Sequence, residues 1–578
     1  MNYSSILTHL TECGYKVSAL KADSAMVEFF TVELEVNGLS VTLLHVLVDE
    51  LSHMPSFLLA NPYDFPRLAH TTVYADIRYA NICVNVPDAV SVNYERPELA
   101  FEESLRRHVL LLQKLLSDNE WNTSELLREF EAGWLNISDE STTPFIYLST
   151  TGSMEALSVV KPRRKDAVGL SSCYVGYKEG WAPKRSFSPI YQLITAREVT
   201  KGHGFVVPLN KLTPAPWKKE ELADWYLNLL ADLPQDILTT LTQQFAQQRA
   251  REFWLIFNGP TPSGTTWFGI NFVLKSAVSG RKNLPFKKTH LDGWELKALP
   301  VSTFSKEKLM PRSGANESLL DKKVLMVGCG SVGGDVADKL AASGVGHITI
   351  SDPDSFSLNN IYRHILPLTY VSYPKSLALW PTLVSKYPWL EIVSLDKELL
   401  DLRDRAFISG FDLIIIAIGV PTQERMFHDY LLKEKINVPV INAWVEGYGI
   451  GGHVVLDLPD SKGCLRCAYV DPDNFSRGLS SNLNFLAPNQ DLTKNHAGCG
   501  DAFLPYTYIA STQTAVITAD ISVKYLLGKV NVSSRISWKG SSEDATEQGF
   551  TLSGRYHSFR QSLEMLHLFN TECDICNG

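Results

Sequence analysis

Apolar and polar segments alternate most regularly between residue 313 and the end of the chain. Short apolar runs such as 324–327 and 412–419 predict strands buried on both faces, and stretches with apolar residues at helical spacing separate them. Strands that alternate with helices in this way are typical of a parallel, doubly wound sheet. We therefore expect a Rossmann-like α/β domain over residues 313–578.

Residues 1–145 follow a different order. A helical stretch over 4–13 precedes three strand-like runs, and the pattern is helical again over 97–134. The pair Asn37-Gly38 predicts a tight hairpin between the first two strands. The three strand-like runs are 25–36, 39–48 and 55–59. This order predicts an α+β domain with an antiparallel sheet.

The middle region, 146–312, is less informative. It contains strand-like runs and two helical stretches, which predict an α+β domain that connects its neighbours. The strand-like runs are 144–149, 188–195, 204–207, 252–257 and 267–274, and the helical stretches are 220–233 and 237–251. The basic cluster 161–165 is interpreted as a solvated loop, and the polar stretch 287–322 as a linker.

Composition narrows the class of protein. The chain has 578 residues, of which 45% are hydrophobic and 20% charged, so a globular protein of three or four domains is expected. A net charge of −9 argues against general nucleic-acid binding. No apolar run approaches the roughly 20 residues that span a bilayer, and the first residues lack a secretory pattern. We expect a cytoplasmic protein without a membrane or direct nucleic-acid partner.

A glycine-rich turn carries the first chemical signal. Gly328, Gly330 and Gly333 have G-x-G-x-x-G spacing between a predicted strand and a predicted helix. The second strand, 347–351, ends at Asp352, about where a nucleotide ribose is held. Backbone N–H groups at the helix N-terminus suit phosphate. Nucleotide binding is the favoured interpretation, and a tight turn in an ordinary α/β domain is the alternative.

The residues after Asp352 indicate which nucleotide chemistry to expect. Asn360, Arg363 and Lys375 follow it closely. A nicotinamide dehydrogenase needs no such set here, whereas a site that splits a triphosphate needs donors and cations for the phosphate charge. The alternative is a group of surface polar residues after a strand.

This stretch resembles the signature of the ThiF/MoeB/ubiquitin-activating superfamily. The motif D-x-D-x-x-x-x-S-N-L-x-R-Q reads here from Asp352 to His364, with Asn359, Ile361 and His364 as departures. The resemblance implies that Asp352 holds the ribose of ATP. It also implies that Asn360, Arg363 and Lys375 hold the triphosphate.

The same resemblance implies a Mg²⁺ ion, normally bound by an aspartate after the buried strand. Here that position holds Gly419, which has no side chain to offer as a ligand. Another acid could take its place, or the site could bind ATP without turnover. Arg312, just before the nucleotide strand, is a further candidate for a phosphate contact.

Two cysteine pairs predict a metal site. Cys464 and Cys467 form one C-x-x-C pair, and Cys573 and Cys576 form another at the end of the chain. Four thiolates with this spacing make a closed, structural Zn²⁺ site that would tie down the C-terminus. The superfamily resemblance implies the same split zinc site. Incidental or redox-active pairs are the alternative.

Two further cysteines are candidate nucleophiles. Cys499 lies between glycines before a long helix, where the superfamily resemblance places an activating cysteine. Residues 1–145 resemble a ubiquitin-conjugating domain in layout, with Cys83 at the position of its thioester cysteine. The His-Pro-Asn element of that family is absent, and His70 is only a loose counterpart. Buried, structural thiols are the alternative for both, and the structural interpretation is preferred for the cysteines 13, 173 and 329.

A conjugating-like domain ahead of an activating-like domain resembles the bacterial fused enzymes of anti-phage CBASS operons, the CD-NTase-associated protein 2 family. The resemblance implies ATP-dependent adenylation of a protein C-terminal carboxylate, thioester capture on Cys499, transfer to Cys83 and ligation to a target lysine. It implies a cGAS-like nucleotidyltransferase as the acyl donor, and a homodimer. The alternatives are an activator of a sulfur-carrier or ubiquitin-like protein outside defence, and a non-catalytic ATP-binding module.

Overall fold

The computed structural model describes residues 1–22, 27–73, 78–84, 91–138, 143–148, 152–161, 169–181, 189–196, 201–247, 251–275, 285–471, 478–495 and 502–577. The chain divides into two compact units. The first consists of residues 1–182 and 193–305, and the second of residues 183–192 and 306–578. Each unit has its own sheet and core.

The N-terminal part of the first unit is an antiparallel sheet covered by helices. Its strands are β1 (Lys16–Val17), β2 (Lys21–Ala22), β3 (Glu28–Val36), β4 (Leu39–Val46), β5 (Leu58–Ala60), β6 (Thr71–Val73) and β7 (Tyr79–Ile82). The main strand order is β1-β3-β4-β5-β7-β6, and β2 pairs with β3. Asn37 and Gly38 have φ angles of 53° and 78°, as the predicted hairpin requires.

Helices cover one face of this sheet. They are α1 (Tyr3–Glu12), α2 (Pro97–Ser117) and α3 (Asn119–Arg128), whereas α4 (Phe130–Asn136) buries Phe130 and Trp134 in the core of the barrel that follows it in the chain. Ile6 of α1 and Phe101 of α2 are fully buried against Phe30 and Phe57. The predicted order of helix, meander and helices is therefore observed, with boundaries shifted by a few residues.

A closed seven-stranded barrel makes up the rest of the first unit. Its strand order is β10-β8-β14-β13-β12-β11-β9. The strands are β8 (Phe145–Tyr147), β9 (Glu155–Val160), β10 (Tyr174–Lys178), β11 (Lys201–Pro208), β12 (Glu252–Thr261), β13 (Gly264–Leu274) and β14 (Trp294–Thr303). The helices of this region are α6 (Leu222–Ala231), α7 (Gln235–Gln247) and α8 (Lys288–Leu291). The helix α5 (Pro189–Thr195) contains the boundary between the units, which falls after residue 192.

Two predictions for the middle region are wrong. The stretch 188–195 was expected to be a strand, but Pro189–Thr195 is helical. The expected linker 287–322 contains Trp294–Thr303, which closes the barrel by pairing with strands on both sides. Only Glu295 and Ser302 of this strand are exposed, and they lie on opposite faces, so no regular alternation of apolar and polar residues marks the strand in the sequence.

The second unit is an eight-stranded sheet flanked by helices. Its order is β17-β16-β15-β18-β19-β20-β23-β24, parallel from β17 to β19 and antiparallel beyond. The strands are β15 (Lys323–Val327), β16 (His347–Ser351), β17 (Glu391–Leu395), β18 (Leu413–Ile416), β19 (Val440–Val445), β20 (Gly451–Asp457), β23 (Ser534–Lys539) and β24 (Leu563–His567). Two short strands, β21 (Lys494–Asn495) and β22 (Ala502–Phe503), pair separately. The expected parallel α/β domain is present.

The helices of this unit are α9 (Lys306–Arg312), α10 (Ser331–Ser343), α11 (Lys375–Lys386), α12 (Arg405–Ile408), α13 (Pro421–Lys433), α14 (Tyr508–Leu526), α15 (Glu543–Glu547) and α16 (Gly554–Ser558). Small side chains such as Ala515 and Ser511 are fully buried along α14, which packs close to α10. Within the described parts of the chain, no helix is both long and apolar enough to cross a membrane.

Candidate functional site

The glycine turn between β15 and α10 depends on two of its glycines for its shape. Gly328 has a φ of 85°, and a Cβ there would lie 2.7 Å from the Ala417 carbonyl oxygen. A Cβ on Gly333 would lie 1.8 Å from the Gly328 carbonyl oxygen. Gly330, in contrast, caps α10, and its Cβ would have no neighbour within 4 Å. Two glycines therefore allow close packing, while Gly330 leaves open space at the helix N-terminus.

Asp352 fastens this turn to the end of β16. One carboxylate oxygen accepts the Cys329 N–H at 2.5 Å, and the other accepts the Asp354 N–H at 2.8 Å. Burial raises the pKa of Asp352, and nearby Lys375 opposes that shift. The carboxylate thus faces the turn, at the strand end where the sequence places the ribose contact.

His364 and Lys375 support the same turn. The His364 Nε2 donates to the Cys329 carbonyl oxygen at 2.6 Å, and burial lowers the pKa of His364 to about 4. The Lys375 ammonium is buried and donates to an Asp354 carboxylate oxygen at 2.9 Å. The histidine that replaces the motif's glutamine is therefore a neutral support for the backbone, and Lys375 already has an anionic partner.

Asn360 and Arg363 lie on the short helical segment after β16 and line a cavity of about 1010 Å³. The Asn360 Oδ1 accepts the N–H and the hydroxyl of Ser357, both at 3.0 Å. Gly330 and Ser331 line a second cavity of about 490 Å³. Tyr506 borders both cavities, so the predicted triphosphate residues and the glycine turn lie beside adjoining spaces.

The strand β18 ends without a metal ligand. Gly419 has a φ of 68° and lines the smaller cavity. The carboxylates among the described lining residues are Glu424 and Glu446. Glu424 accepts the Asn442 amide at 3.0 Å, and Glu446 accepts the backbone N–H groups of residues 485 and 486 at 2.6 and 3.0 Å. Both carboxylates therefore have protein partners, and these residues do not fit a magnesium site after β18.

Three residues beside these cavities had no role assigned from the sequence. Ser331 lies inside the glycine motif, so its position at the start of α10 was a usable signal. Glu424 occupies the first turn of α13, directly after the strand where an acid was sought. Tyr506 follows a polar segment without a pattern, and only the fold brings it to the glycine turn. Arg312 ends α9 and is exposed, and it is not among the described residues that line the two cavities.

The two cysteine pairs meet as predicted. The Sγ atoms of Cys464 and Cys573 are 3.8 Å apart, those of Cys467 and Cys576 are 3.6 Å apart, and all four lie within 4.8 Å of one another. A tetrahedron with Zn–S bonds of about 2.3 Å has S–S edges of about 3.8 Å. The cluster therefore fits a closed four-thiolate zinc site.

Cys83 directly follows β7, which lies between β5 and the edge strand β6. It is exposed, and its N–H donates to the His70 carbonyl oxygen at 2.8 Å. The His70 ring contacts Glu129 through Nδ1 at 2.5 Å and Glu125 through Nε2 at 3.3 Å. The hydrogen bond to Glu129 is the main cause of a raised His70 pKa. Cys83 and His70 line one cavity of about 700 Å³, together with Trp217.

The other cysteines differ in accessibility. Cys499 lies outside the described residues. Cys329 is fully buried in the glycine turn, and burial raises its thiol pKa, as suits a structural side chain. Cys173 is half-buried, and Cys13 is exposed.

Comparisons with known proteins point to the second unit. Residues 303–573 match the ThiF family. The chain is 28% identical over 222 residues to the "ATP-dependent ubiquitin transferase-like protein Cap2" of Escherichia coli (strain TW11681), covering 37% of this chain and 36% of that protein. The Cap2 protein of Vibrio cholerae serotype O1 is 27% identical over 268 residues, or 44% of each chain. A crystal structure of E. coli MccB with ATP has a TM-score of 0.32 at 17% identity, covering 45% of this chain and 68% of that one.

The family match coincides with the unit that contains the glycine turn, the two adjoining cavities and the cysteine cluster. The matched segments span less than half the length of these two Cap2 relatives. The chain is therefore similar to the Cap2 proteins, and its C-terminal half carries a ThiF family domain.

Proposed function

We propose that the second unit uses ATP to adenylate the C-terminal carboxylate of a protein. This proposal rests on one arrangement. Asn360 and Arg363 line a cavity that adjoins the cavity at the N-terminus of α10. Asp352 holds the glycine turn before α10 by accepting a backbone N–H from it. A site of this kind offers amide, guanidinium and backbone N–H donors to a chain of phosphates. The printed name of the Cap2 relatives, ATP-dependent and ubiquitin transferase-like, supports the same chemistry.

The first step is a displacement at phosphorus. A carboxylate oxygen attacks the α-phosphorus of ATP, the α–β anhydride bond breaks, and pyrophosphate leaves with the charge it gains. Asp352 would hold the ribose, and Asn360, Arg363 and Lys375 would stabilise the triphosphate. Lys375 must share its ammonium with Asp354, its partner at 2.9 Å. The product is an acyl-adenylate, in which AMP is a good leaving group.

Thiols would then carry the acyl group. The Cys499 thiolate attacks the acyl carbon and AMP leaves; the Cys83 thiolate attacks the resulting thioester and Cys499 leaves. A lysine amine of the target finally displaces Cys83 and gives up a proton, forming an amide. The exposure of Cys83 beside a cavity supports its part in this relay, because two protein partners must reach one sulfur.

By resemblance to the fused CBASS enzymes, the proposed acyl donor is a cGAS-like nucleotidyltransferase, and the setting is anti-phage defence. A homodimer and a cytoplasmic location belong to the same proposal. An activator of a sulfur-carrier or ubiquitin-like protein would use the same adenylation site with a different donor. The neighbouring genes separate the two, since the first predicts a nucleotidyltransferase and the second a small protein ending in Gly-Gly.

A second candidate is an ATP-binding module without turnover. Gly419 favours it, because the strand end where magnesium is expected has no ligand side chain. Zinc has a separate role in either case: in the cluster of Cys464, Cys467, Cys573 and Cys576 it would fasten the chain's last residues to the sheet.

The test is exchange of labelled pyrophosphate into ATP by the full chain, purified together with the proteins encoded beside it. We expect exchange in the wild type and a loss of about 100-fold or more in Arg363→Ala, a typical cost of removing one charge-stabilising donor. Arg560→Ala, an exposed arginine of the same unit, is the matched control and should keep full exchange. ATP binding without any exchange would favour the module instead.

A further inference from the structure

Residues 503–507, here called the strap, cross the second unit between the two cavities. The Tyr448 N–H donates to the Pro505 carbonyl oxygen at 2.6 Å. Leu504 packs so closely on Gly447 that a Cβ there would lie 2.8 Å from a Leu504 methyl carbon. Thr507 caps α14 by accepting the Ala510 N–H at 3.2 Å. The backbone on both sides of Tyr506 is therefore held in place.

The Tyr506 side chain contacts both halves of the proposed phosphate site. Its hydroxyl is 2.9 Å from the Ser331 Oγ, on the first residue of α10. Its ring lies 5.5 Å from the Arg363 guanidinium carbon, within the range of a cation–π contact. Tyr506 thus bridges the glycine turn and the candidate triphosphate arginine from an element that contributes no other part of the motif.

This bridge matters because an arginine side chain is flexible. A guanidinium that stacks on an aromatic ring keeps a fixed plane and loses less rotamer freedom when it binds an anion. The Ser331 hydroxyl is likewise held at the helix N-terminus, where backbone N–H groups favour negative charge. The contacts of Tyr506 concern the phosphate end of a nucleotide, and neither involves Asp352 at the proposed ribose contact.

We propose that Tyr506 is a positioning residue for the triphosphate of ATP, acting through Arg363 and Ser331; this inference rests on the proposed function. The ring fixes the guanidinium, and the hydroxyl fixes the serine. Tyr506 therefore contributes to recognition of the phosphates and leaves binding of the nucleoside unchanged.

The test compares equilibrium dissociation constants of ATP and adenosine for the full chain. Tyr506→Leu keeps an apolar side chain but removes the ring face and the hydroxyl, and we expect it to weaken ATP binding about 10-fold and adenosine binding less than twofold. Tyr506→Phe and Tyr506→Trp keep an aromatic face and should stay within about threefold of the wild type for ATP. Tyr525→Leu is the control, since Tyr525 lies with Asp412 beside a separate cavity at the start of β18.

A double-mutant cycle isolates the action through Arg363. Tyr506→Leu should weaken ATP binding much less in an Arg363→Ala background than in the wild type, because the group it positions is gone. Equal losses for ATP and adenosine in Tyr506→Leu, or full additivity with Arg363→Ala, would overturn the inference. If Tyr506→Leu is unfolded by thermal melting, an ATP loss of 10-fold in Tyr506→Trp would contradict it equally. A wild type that binds ATP no better than adenosine would overturn the proposed function and this inference together.

Discussion

The two units place their candidate chemistry in opposite surroundings. In the second unit, Asp352, His364 and Lys375 are buried, and each already has a hydrogen-bond partner. In the first unit, Cys83 is exposed at the end of β7 and lines a cavity that charged side chains also line. Fixed, desolvated donors suit a small anionic ligand, whereas an accessible thiol suits a reaction between proteins. The difference supports the proposal that the second unit binds the nucleotide and that Cys83 transfers the acyl group.

The cysteines repeat this contrast. The second unit buries Cys329 in its glycine turn and gathers the four cysteines of the C-x-x-C pairs into one cluster. The first unit leaves Cys83 open to solvent. Burial and clustering thus support structural roles for the cysteines of the second unit, whereas Cys83 is exposed, as Cys13 of the first unit also is. Substitutions confined to one unit should test this contrast between the two units.

The largest effect is expected from breaking the cysteine cluster. Cys573→Ser should release the bound zinc and loosen the second unit, because four-cysteine sites contribute about 10 kcal/mol or more to folding. Metal analysis would report the zinc, and hydrogen exchange read peptide by peptide would report loss of protection in β23 and β24. Cys173→Ser, in the first unit, is the control. Unchanged zinc content in Cys573→Ser would contradict the assignment.

The second largest effect is expected from substitutions in the glycine turn. Gly333→Ala places a methyl group against the Gly328 carbonyl oxygen and should cost about 3 kcal/mol or more, read as a lower unfolding temperature of the second unit. Gly330→Ala meets no atom within 4 Å, so the fold should persist while ATP binding weakens. The account would be wrong about Gly330 if that variant lost stability as much as Gly333→Ala.

Acid should weaken the first unit more than the second. Burial lowers the pKa of His45 and of His108 to about 4. In the unfolded chain each of these histidines takes up a proton near pH 6.5. The stability that the two neutral histidines contribute is therefore complete above that pH and is lost as the pH falls towards about 4. Near pH 5 the loss is about 2 kcal/mol for each histidine.

One histidine with a raised pKa opposes this loss in each unit, His70 in the first and His428 in the second. In the second unit His364 and His453 shift as His45 does. Burial also raises the pKa of Asp352 and Glu424 there, so the folded second unit takes up protons on these carboxylates in acid, which offsets part of its loss.

Hydrogen exchange at about pH 7 and about pH 5, corrected for intrinsic rates, measures this difference. Peptides of β4 and α2 should lose more protection at the lower pH than peptides of β15 and β18. His108→Gln cannot be protonated in this range and should flatten the response of the first unit. A response that stays the same in His108→Gln would show that other groups cause the acid sensitivity.

The smallest effect concerns the hairpin between β3 and β4. Gly38 has a φ of 78° and open space around it, so Gly38→Ala costs only backbone strain, about 1 kcal/mol. Gly554→Ala in the second unit, with open space and no positive φ, is the matched control and should be nearly neutral. Local exchange in β3 and β4 reads the change, and equal effects of the two substitutions would refute the strain argument.

The units also differ in how much of their structure can be predicted from the sequence. His347–Ser351 was predicted with its observed boundaries, and Lys323–Val327 to within one residue, because each run of strand-forming residues is short and clearly bounded. Trp294–Thr303 was missed, because its two exposed residues, Glu295 and Ser302, do not follow a strand period and the stretch around it is polar. Barrel closure depends on pairing between distant segments, which no local pattern specifies.

The parts of the candidate site likewise differ in whether the sequence predicts them. Motif spacing identified the glycine turn, which follows from short-range geometry. It also predicted the meeting of the four cysteines, because each C-x-x-C pair suits one metal ion, although the pairs are 109 positions apart. The contact of Tyr506 with Ser331 joins residues 175 positions apart and required the fold. The carboxylates beside Gly419 likewise proved to have backbone and side-chain partners, which the sequence alone does not show.

The most direct test of the proposed transfer is a trap at Cys83. The full chain carrying Cys83→Ser would be expressed with its neighbouring genes, and peptide mass spectrometry would examine residue 83. The account predicts a partner's C-terminus joined as an ester to the introduced hydroxyl, and this ester is lost in the Arg363→Ala background because no acyl-adenylate forms. An unmodified residue 83, in a preparation that exchanges pyrophosphate with ATP, would contradict the transfer through Cys83.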